Sequence, residues 1–473
     1  MRGVMERPKS RSFERYDTEK IQQQDRDHYI HPWAEFESAD EGCLVVAESE
    51  GAYVYDSDGD RYLDGIGGMW CVNIGYANEE MVRAIAEQAR RLAYGSPFCD
   101  TTTPPAAQLA ETLGELAPGP LNRVFFSTGG STANDTAVRL IHYYHQRRGH
   151  PEKKHIVCLR DAYHGSTFLA MSLDGKREDR SAFHYIDDIV HRVSSPNRYR
   201  RPAGTTLEEF CDLLIAELEA KIQQIGPERV ACFIAEPVLG AGGVIVPPPG
   251  YHRRAYDVCR KYDVLYVSDE VVTGFGRLGH IFASEDVFDV TPDVISCAKG
   301  LTSGYAPLGA TLFSDEIYET LSVPDRTKPL SHGFTYSGHP VSCAAALKSI
   351  EILQRDGILE NVREVGPYFE KQLASLLELP LVGDVRGSHF MMCVENVADK
   401  ETKELLPAAA NVGERIAEHC EERGLLVRPI DHLNVLSPPL ILDRDEVDFC
   451  VGVLRQSILA TADELVREGL WRG

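Results

Sequence analysis

From residue 123 to residue 299 the chain repeats one unit: a short apolar run, a polar residue at its end, then a helical stretch. Arg123-Val124-Phe125-Phe126 runs into Ser127-Thr128-Gly129-Gly130-Ser131-Thr132, and a helix is predicted over 133–147. Ile156-Val157-Cys158-Leu159 leads to Asp161-Ala162-Tyr163-His164. A helix over 207–225 precedes Val230-Ala231-Cys232-Phe233-Ile234-Ala235, which ends at Glu236-Pro237. A helix over 251–262 precedes Val264-Leu265-Tyr266-Val267-Ser268, which ends at Asp269-Glu270. Asp293-Val294-Ile295 then leads to Lys299. These runs are apolar throughout and do not alternate, as strands buried on both faces of a mostly parallel sheet do. Ligands in such sheets sit beyond the carboxyl ends of the strands. Gly129, Tyr163, Glu236, Asp269 and Lys299 all follow strands, so one rim can gather all five.

The flanks differ. A helix is expected over 20–40, ending at His31-Pro32. Strands over 44–48, 52–56 and 61–64 form a small antiparallel meander. Gly65-Ile66-Gly67-Gly68-Met69-Trp70-Cys71 interrupts it with glycines that forbid a regular element. Trp70 there is either core or the wall of a pocket. Helices follow from residue 79, with Met81, Ile85, Ala89 and Leu92 on one face, and over 106–116. Residues 174–206, with Tyr185 and Tyr199, show little pattern and read as a functional loop. Past 340, helices are expected over 341–354 and 357–377, strands over 382–387, 390–394, 424–429 and 434–437, and a helix over 445–467. This is a smaller α+β unit on which the meander is expected to pack. The reading divides the chain into an N-terminal segment of the small domain (1–70), a large domain (71–337) and the C-terminal small domain (338–473).

The 473 residues, 43% hydrophobic and 26% charged, suffice for a large core. The net charge of −23 and the lack of a dense Lys/Arg block argue against nucleic acid. No apolar run is long enough to span a membrane. The N-terminal stretch MRGVMERPKSRSFERYDTEK has no apolar region of a secretory signal and reads as an exposed arm. Twelve cysteines are scattered singly without a CxxC pair, so reduced thiols in a cytoplasmic protein are expected, with no metal site.

A Gly/Ser loop between a strand and a helix N-terminus offers free N–H groups and a positive dipole end to a phosphate. Ser131 or Thr132 can instead simply cap the helix. Lys299 stands among small residues in Ser296-Cys297-Ala298-Lys299-Gly300-Leu301-Thr302-Ser303-Gly304. Desolvated there, it can lose its proton and form a Schiff base with a carbonyl. It can also be a solvated turn residue. Gly274-Phe275-Gly276-Arg277-Leu278-Gly279 matches GxGxxG, but its strand has already ended at Asp269 and no clear helix follows. A glycine-rich turn under the active-site loop is the better reading.

A covalent lysine, a phosphate loop, an aromatic ring and a carboxylate on one rim describe a site for pyridoxal 5'-phosphate. Lys299 would hold the aldehyde and Asp269 would pair with the pyridine nitrogen. Tyr163 would stack on one ring face and Val271 cover the other, with Gly129, Gly130 and Ser131 on the phosphate. Individually, Asp269 can cap a turn and Tyr163 can be core. Freed by the substrate amine, Lys299 is the natural proton carrier.

From about Trp33 to the C-terminus the chain resembles the class III, fold type I pyridoxal-phosphate-dependent aminotransferases. The likeness rests on Gly68-Met69-Trp70-Cys71-Val72-Asn73, Ala162-Tyr163-His164-Gly165, Ala235-Glu236-Pro237-Val238 and Ser268-Asp269-Glu270-Val271. Ala298-Lys299-Gly300-Leu301, Pro307-Leu308-Gly309-Ala310 and His332-Gly333-Phe334-Thr335-Tyr336-Ser337-Gly338 complete it. The resemblance implies an α/β fold: a large mostly parallel sheet domain with helices on both faces, plus a smaller α+β domain. It implies Lys299 and Asp269 as catalytic residues, His164 and Glu236 beside the cofactor, and Thr335 reaching the neighbouring subunit's phosphate. A homodimer with shared sites follows, its pairing into tetramers left open. Where the family reads Ser-Gly-Ser-Glu-Ala-Asn, this chain has Gly129-Gly130-Ser131-Thr132-Ala133-Asn134, which puts the contacts of Thr132 in question.

Trp70 and Val427-Arg428-Pro429-Ile430 resemble the ω-aminotransferases that use pyruvate as acceptor. The resemblance implies a primary amine or ω-amino acid donor, such as β-alanine or taurine, and ping-pong transfer to pyruvate. It also implies that Arg428 binds a substrate carboxylate and swings aside for apolar groups, where a surface arginine before a proline is the plain reading. Trp33 and Phe98 are further candidates for the pocket wall. The alternatives are a γ-aminobutyrate or diamine aminotransferase, an isomerase, lyase or decarboxylase on the same fold, a non-catalytic cofactor-binding protein and a dinucleotide enzyme.

Overall fold

The computed structural model describes residues 16–33, 43–98, 101–176, 181–327 and 329–473. The expected N-terminal arm therefore lies outside the described residues up to Tyr16. Along the chain come β1 (Val46–Glu50), β2 (Tyr53–Asp56), β3 (Arg61–Asp64), β4 (Leu121–Ser127), β5 (His155–Leu159), β6 (Val190–Val193) and β7 (Val230–Ala235). Then follow β8 (Leu265–Asp269), β9 (Val294–Cys297), β10 (Gly309–Ser314), β11 (Val382–Ser388) and β12 (Met391–Asn396). The last are β13 (Leu425–Leu426), β14 (Arg428–Ile430) and β15 (Leu433–Leu436).

The central sheet has the order β4-β10-β9-β8-β7-β5-β6. Its β9-β8-β7-β5-β6 portion is parallel, and β10 runs antiparallel to both β9 and β4. Every residue of β5, β7, β8 and β9 is buried, as their unbroken apolar sequence requires. Helices cover both faces, and the sheet separates two clusters of buried side chains.

Register sets the site. Ser268 pairs with Ala235 across β8 and β7, which puts Glu236 beside Asp269. Asp269 pairs with Ser296 on β9, so Lys299 emerges just past it. Strand β10 pairs Ala310 with Cys297 on one side and Gly309 with Ser127 on the other, bringing the Gly129 loop to the same rim. Side chains alternate across a strand, so neighbours at its end part company. Asp269 faces the rim, while Glu270 turns away and accepts from the Ser284 N–H at 2.7 Å and the Ala283 N–H at 3.1 Å.

Several expectations are corrected. The first helix is Thr18–His28, shorter than 20–40. The loop over 174–206 contains edge strand β6. Gly67–Trp70, by contrast, keeps non-helical backbone as its glycines require, with positive φ at Gly67, Gly68 and Trp70. The run 424–429 is two strands in two sheets: Leu425–Leu426 lies parallel to β3, and Arg428–Ile430 pairs with β15. That split links the sheet of the N-terminal meander to the C-terminal sheet β11-β12-β15-β14. The helix Pro340–Arg355 packs on the helices Glu79–Arg91 and Pro104–Leu116 and on the Lys299 turn.

Candidate active site

Strand β9 ends at Cys297, and Lys299–Thr302 form a single tight turn. Lys299 lies at φ +44° and Ser303 at φ +49°, left-handed positions that cost about 1–3 kcal/mol each and persist only where surroundings enforce them. Gly300 makes the turn possible, since a Cβ there would run into the Asn73 side chain. Asn73 Nδ2 donates to the Phe275 carbonyl at 2.6 Å, and Asn73 Oδ1 accepts from Arg277 Nη2 at 2.8 Å. Arg277, fully buried, donates from Nη1 to the carbonyls of Ser437 (2.8 Å), Phe390 (3.2 Å) and Pro438. The GxGxxG segment is thus a glycine turn forming the floor of the Lys299 loop. Lys299 Nζ lies 5.6 Å from the ring centre of Trp70. Burial lowers its pKa, aided by Arg428 and opposed by Asp269, Glu236 and Cys71.

Asp269 carries three donors. Its Oδ2 accepts from Asn134 Nδ2 at 2.7 Å and from His164 Nδ1 at 2.8 Å, and its Oδ1 accepts from the Val271 N–H at 3.1 Å. Asn134 Nδ2 also donates to the His164 carbonyl at 2.8 Å, so one amide group holds both partners. Burial opposes a charge on His164, but the hydrogen bond and charge of Asp269, with Glu236 and Asp174 beyond, hold its pKa above the ordinary value. Glu236 accepts from the N–H groups of Tyr163 (3.0 Å) and Gly240 (2.8 Å), and burial pushes it up to about 7. Asp174 accepts from the His164 N–H at 2.5 Å and is likewise pushed up to about 7 by burial. Asn134 and Asp174 were not among the sequence candidates. Asn134 lay within the quoted 129–134 segment, while Asp174 gave no signal.

At the phosphate loop, no side chain caps the helix Gly130–Arg147. Ser131 Oγ accepts from the Ser166 N–H at 3.1 Å, and Thr132 Oγ1 accepts from the Thr128 N–H at 3.1 Å and lies 2.9 Å from the Gly129 carbonyl as a donor. Thr132 is spent on its own loop, so the capping alternative does not hold and the first-turn N–H groups stay free for an anion. A Cβ on Gly129 would meet no atom within 4 Å, whereas one on Gly130 would strike Val271 Cγ1 at 2.7 Å. The loop therefore opens at Gly129 and closes on Val271.

Trp70 is both core and wall: it is buried with Val238, Leu278 and Leu433, yet faces Lys299 Nζ. The ring of Trp33 stands edge-on to Tyr163 at 5.9 Å. The Arg428 guanidinium lies against Met69 Sδ, and burial lowers its pKa, opposed by Tyr163. Phe98 is not part of this group: it is 51% exposed and sits against Gly333. Thr335 is exposed too, its carbonyl accepting from Tyr94 Oη at 2.9 Å.

These residues fit pyridoxal phosphate. Free helix N–H groups and an open Gly129 suit the phosphate, an ion-paired carboxylate suits a protonated pyridine, and a lysine of lowered pKa suits an aldehyde. Among the described residues no group of His, Cys, Asp and Glu could hold a metal ion. None of the described helices is long and apolar enough to cross a membrane.

Comparison with known proteins agrees. The chain is 39% identical over 448 residues to the putrescine–pyruvate aminotransferase of Pseudomonas aeruginosa, covering 94% of this chain and 97% of that one. The (S)-enantioselective ω-transaminase of Thermomicrobium roseum superposes with a TM-score of 0.91 at 41% identity, covering 96% and 100% of the two chains. The ω-transaminase of Pseudomonas jessenii in complex with PMP gives 0.91 at 35% identity, covering 94% and 98%. Both likenesses carry the fold type I architecture across nearly the whole chain. Residues 36–458 match the aminotransferase class-III family model, and the chain belongs to that family of pyridoxal-phosphate-dependent transaminases.

Proposed function

We propose that this enzyme moves an amino group from a primary amine or ω-amino acid to pyruvate, by ping-pong transfer on pyridoxal phosphate held at Lys299. The carrying observation is Asp269: buried on the rim beside Lys299, it is fixed by His164 and Asn134. The names of the Pseudomonas aeruginosa and Thermomicrobium roseum relatives support an amine donor, and the former supports pyruvate.

When bound, pyridoxal phosphate supplies an aldehyde for the amine and a ring that takes up electrons from the substrate's α-carbon. Asp269, fixed by its three donors, would hold a proton on the ring nitrogen. Val271 and Tyr163 would flank the ring, and Gly129, Gly130 and Ser131 would hold the phosphate. Lys299 Nζ, its pKa lowered by burial, takes a proton from the substrate and returns it. Arg428 takes the carboxylate of the keto acid. Trp70 and Trp33 wall the amine side.

Thr335, exposed on its own chain, reaches the phosphate of a second copy, and Phe98 on the same surface joins that copy's pocket. The enzyme is read as a homodimer with shared sites. Residues 1–70 and 338–473 are read as the small domain and 71–337 as the large one. All eleven described cysteines are free, which supports a cytoplasmic setting.

The test is a donor panel with pyruvate: β-alanine, taurine, putrescine, γ-aminobutyrate and 1-phenylethylamine. Alanine should accumulate, and Lys299→Ala should abolish both turnover and the visible absorbance of covalently held cofactor. Turnover in that variant at the wild-type rate would overturn the role of Lys299. Absence of alanine with every donor would overturn the transfer to pyruvate.

A further inference from the structure

Tyr163 and His164 stand on a loop between β5 and the helix Phe168–Leu173. Its backbone is held from beneath by groups distant in the chain or beyond that helix. The Tyr163 N–H goes to Glu236 Oε1, and the His164 carbonyl accepts from Asn134 Nδ2. The Ala162 carbonyl accepts from the Gly175 N–H at 2.8 Å. The His164 N–H goes to Asp174 Oδ1. Glu236 and Asp174 thus take consecutive N–H groups and seat the loop at two points.

Asp174 closes the helix Phe168–Leu173 and is wholly buried. Gly175 beside it admits no side chain, since a Cβ there would lie 2.4 Å from both the Asp161 nitrogen and the Leu159 carbonyl oxygen. The turn therefore lies directly against the end of β5. Edge strand β6 holds it from the other side: Arg192 donates from Nε to the Asp174 carbonyl at 2.9 Å and from Nη2 to the Ser172 carbonyl at 2.6 Å. That guanidinium meets the backbone of the turn, and among the described residues no Lys or Arg pairs with the Asp174 carboxylate. Burial opposes its charge, and the groups that favour it are the N–H groups of His164 and Gly165 and the His164 ring. All three belong to the loop that carries Tyr163 and His164. A buried N–H that loses its acceptor moves to find another or leaves an unsatisfied donor. If the His164 N–H moves, the Tyr163 ring and the His164 imidazole move with it.

We propose that Asp174 is a positioning residue for the cofactor's ring: by taking the His164 N–H, it sets the height of the Tyr163 ring and keeps the His164 imidazole on Asp269. The inference rests on the reading of Tyr163 and Asp269 as the partners of that ring. Arg192 fixes the seat to β6, and Asp174 transmits that position to the loop.

The test separates the acceptor from the side chain's bulk and charge. Asp174→Ala removes the acceptor, whereas the amide oxygen of Asp174→Asn still takes the His164 N–H. The Kd of pyridoxal phosphate, read from its absorbance on dilution of the holoenzyme, should rise about ten- to hundredfold in Asp174→Ala, the worth of one hydrogen bond to a charged group. In Asp174→Asn it should stay within about threefold of the wild type, because the hydrogen bond is kept. In the apoenzyme, followed by NMR, the His164 ring should titrate at lower pH in Asp174→Ala, as it leaves Asp269, and near its wild-type position in Asp174→Asn. If Asp174→Ala does not fold, Arg192→Met frees the turn at its outer end and should move both readouts in the same direction. Loss of cofactor affinity with an unmoved His164 titration makes Asp174 merely structural and overturns the inference, as does an Asp174→Asn variant that fails as badly as Asp174→Ala. The reading beneath it is tested apart: if Asp269→Asn leaves the Kd of pyridoxal phosphate unchanged, Asp269 is not the ring's partner and the inference falls with that reading.

Discussion

His164 Nδ1 and Asp269 Oδ2 lie 2.8 Å apart with both side chains buried. Each explains the other. The hydrogen bond and charge of the carboxylate raise the pKa of the imidazole despite burial, and the imidazole in turn fixes the carboxylate on the rim. Asp269→Asn removes the negative charge and leaves the shape. We expect kcat/KM to fall by about 10²–10³-fold, the scale of losing one preorganised electrostatic partner. The pKa of His164, followed by NMR in the apoenzyme, should drop toward or below its ordinary value. An unchanged His164 titration would show that Asp269 is not what holds the proton.

Gly240 sits where the pocket wall and the buried acid meet. A Cβ there would come 2.6 Å from Trp70 Cζ3 and 3.4 Å from Glu236 Oε2. Gly240→Ala must tilt the indole away. Overpacking of this kind costs about 1–3 kcal/mol of stability, measurable by denaturant unfolding of the apoenzyme. Because the indole also faces Lys299, the range of amine donors should change in the same variant. A full-stability variant with an unchanged donor range would mean that Trp70 yields freely.

Glu236 has the sign opposite to a salt-bridged acid. Burial raises its pKa from the ordinary 4.5 to about 7, so the folded apoenzyme holds this proton where the unfolded chain has lost it. Fewer protons on the unfolded state mean that stability falls as pH rises, here between about 4.5 and 7. Glu236→Gln removes that contribution. The stability of the variant minus that of the wild type should therefore grow across this window and level off above it. A difference flat with pH would show that Glu236 is already ionised at the lower end.

The central sheet was legible because fully buried parallel strands leave unbroken apolar runs, and a residue at the end of such a run must reach the rim. Lys299, Asp269 and Glu236 were readable for that reason. Strand β10 was not, since Gly309-Ala310-Thr311 looks like a turn until the sheet supplies neighbours on both sides. The run at 424–429 read as one strand because periodicity carries no record of a change of partner, here between Leu426 and Arg428. Asn134 was hidden inside a helix, where one polar residue on an apolar face gives no local sign of a carboxylate 135 positions away in the chain. Asp64 ends an ordinary hairpin strand, and only the fold brings four donors to its carboxylate.

The C-terminal sheet holds a second buried acid, far from this chemistry in character. Glu395 on β12 lies between two arginines: Arg200 Nε donates to its Oε1 at 3.0 Å, and Arg386 Nη1 donates to its Oε2. His432 Nε2 stands 3.6 Å from the same carboxylate. Burial alone would raise the pKa of Glu395, but His432, Arg386 and Arg200 together pull it down to about 2. Arg386 Nε also donates to the Gly243 carbonyl at 2.6 Å, and Arg200 to the Lys403 carbonyl at 2.5 Å, so the carboxylate pins two loops to the sheet. Removing it leaves Arg386 with Asp384 Oδ2 at 3.1 Å and Arg200 partly exposed, so the loss is that of charge-assisted hydrogen bonds, about 1.5–3 kcal/mol. A lowered folded pKa stabilises above the ordinary value of 4.5 and is lost as pH falls toward 2. Glu395→Gln should therefore be destabilised by that amount near neutral pH, and the gap to the wild type should close as pH drops below 4.5. Urea unfolding of both proteins over pH 3–7 checks it, and a gap that stays constant down to pH 3 would mean the arginines do not set the charge of Glu395.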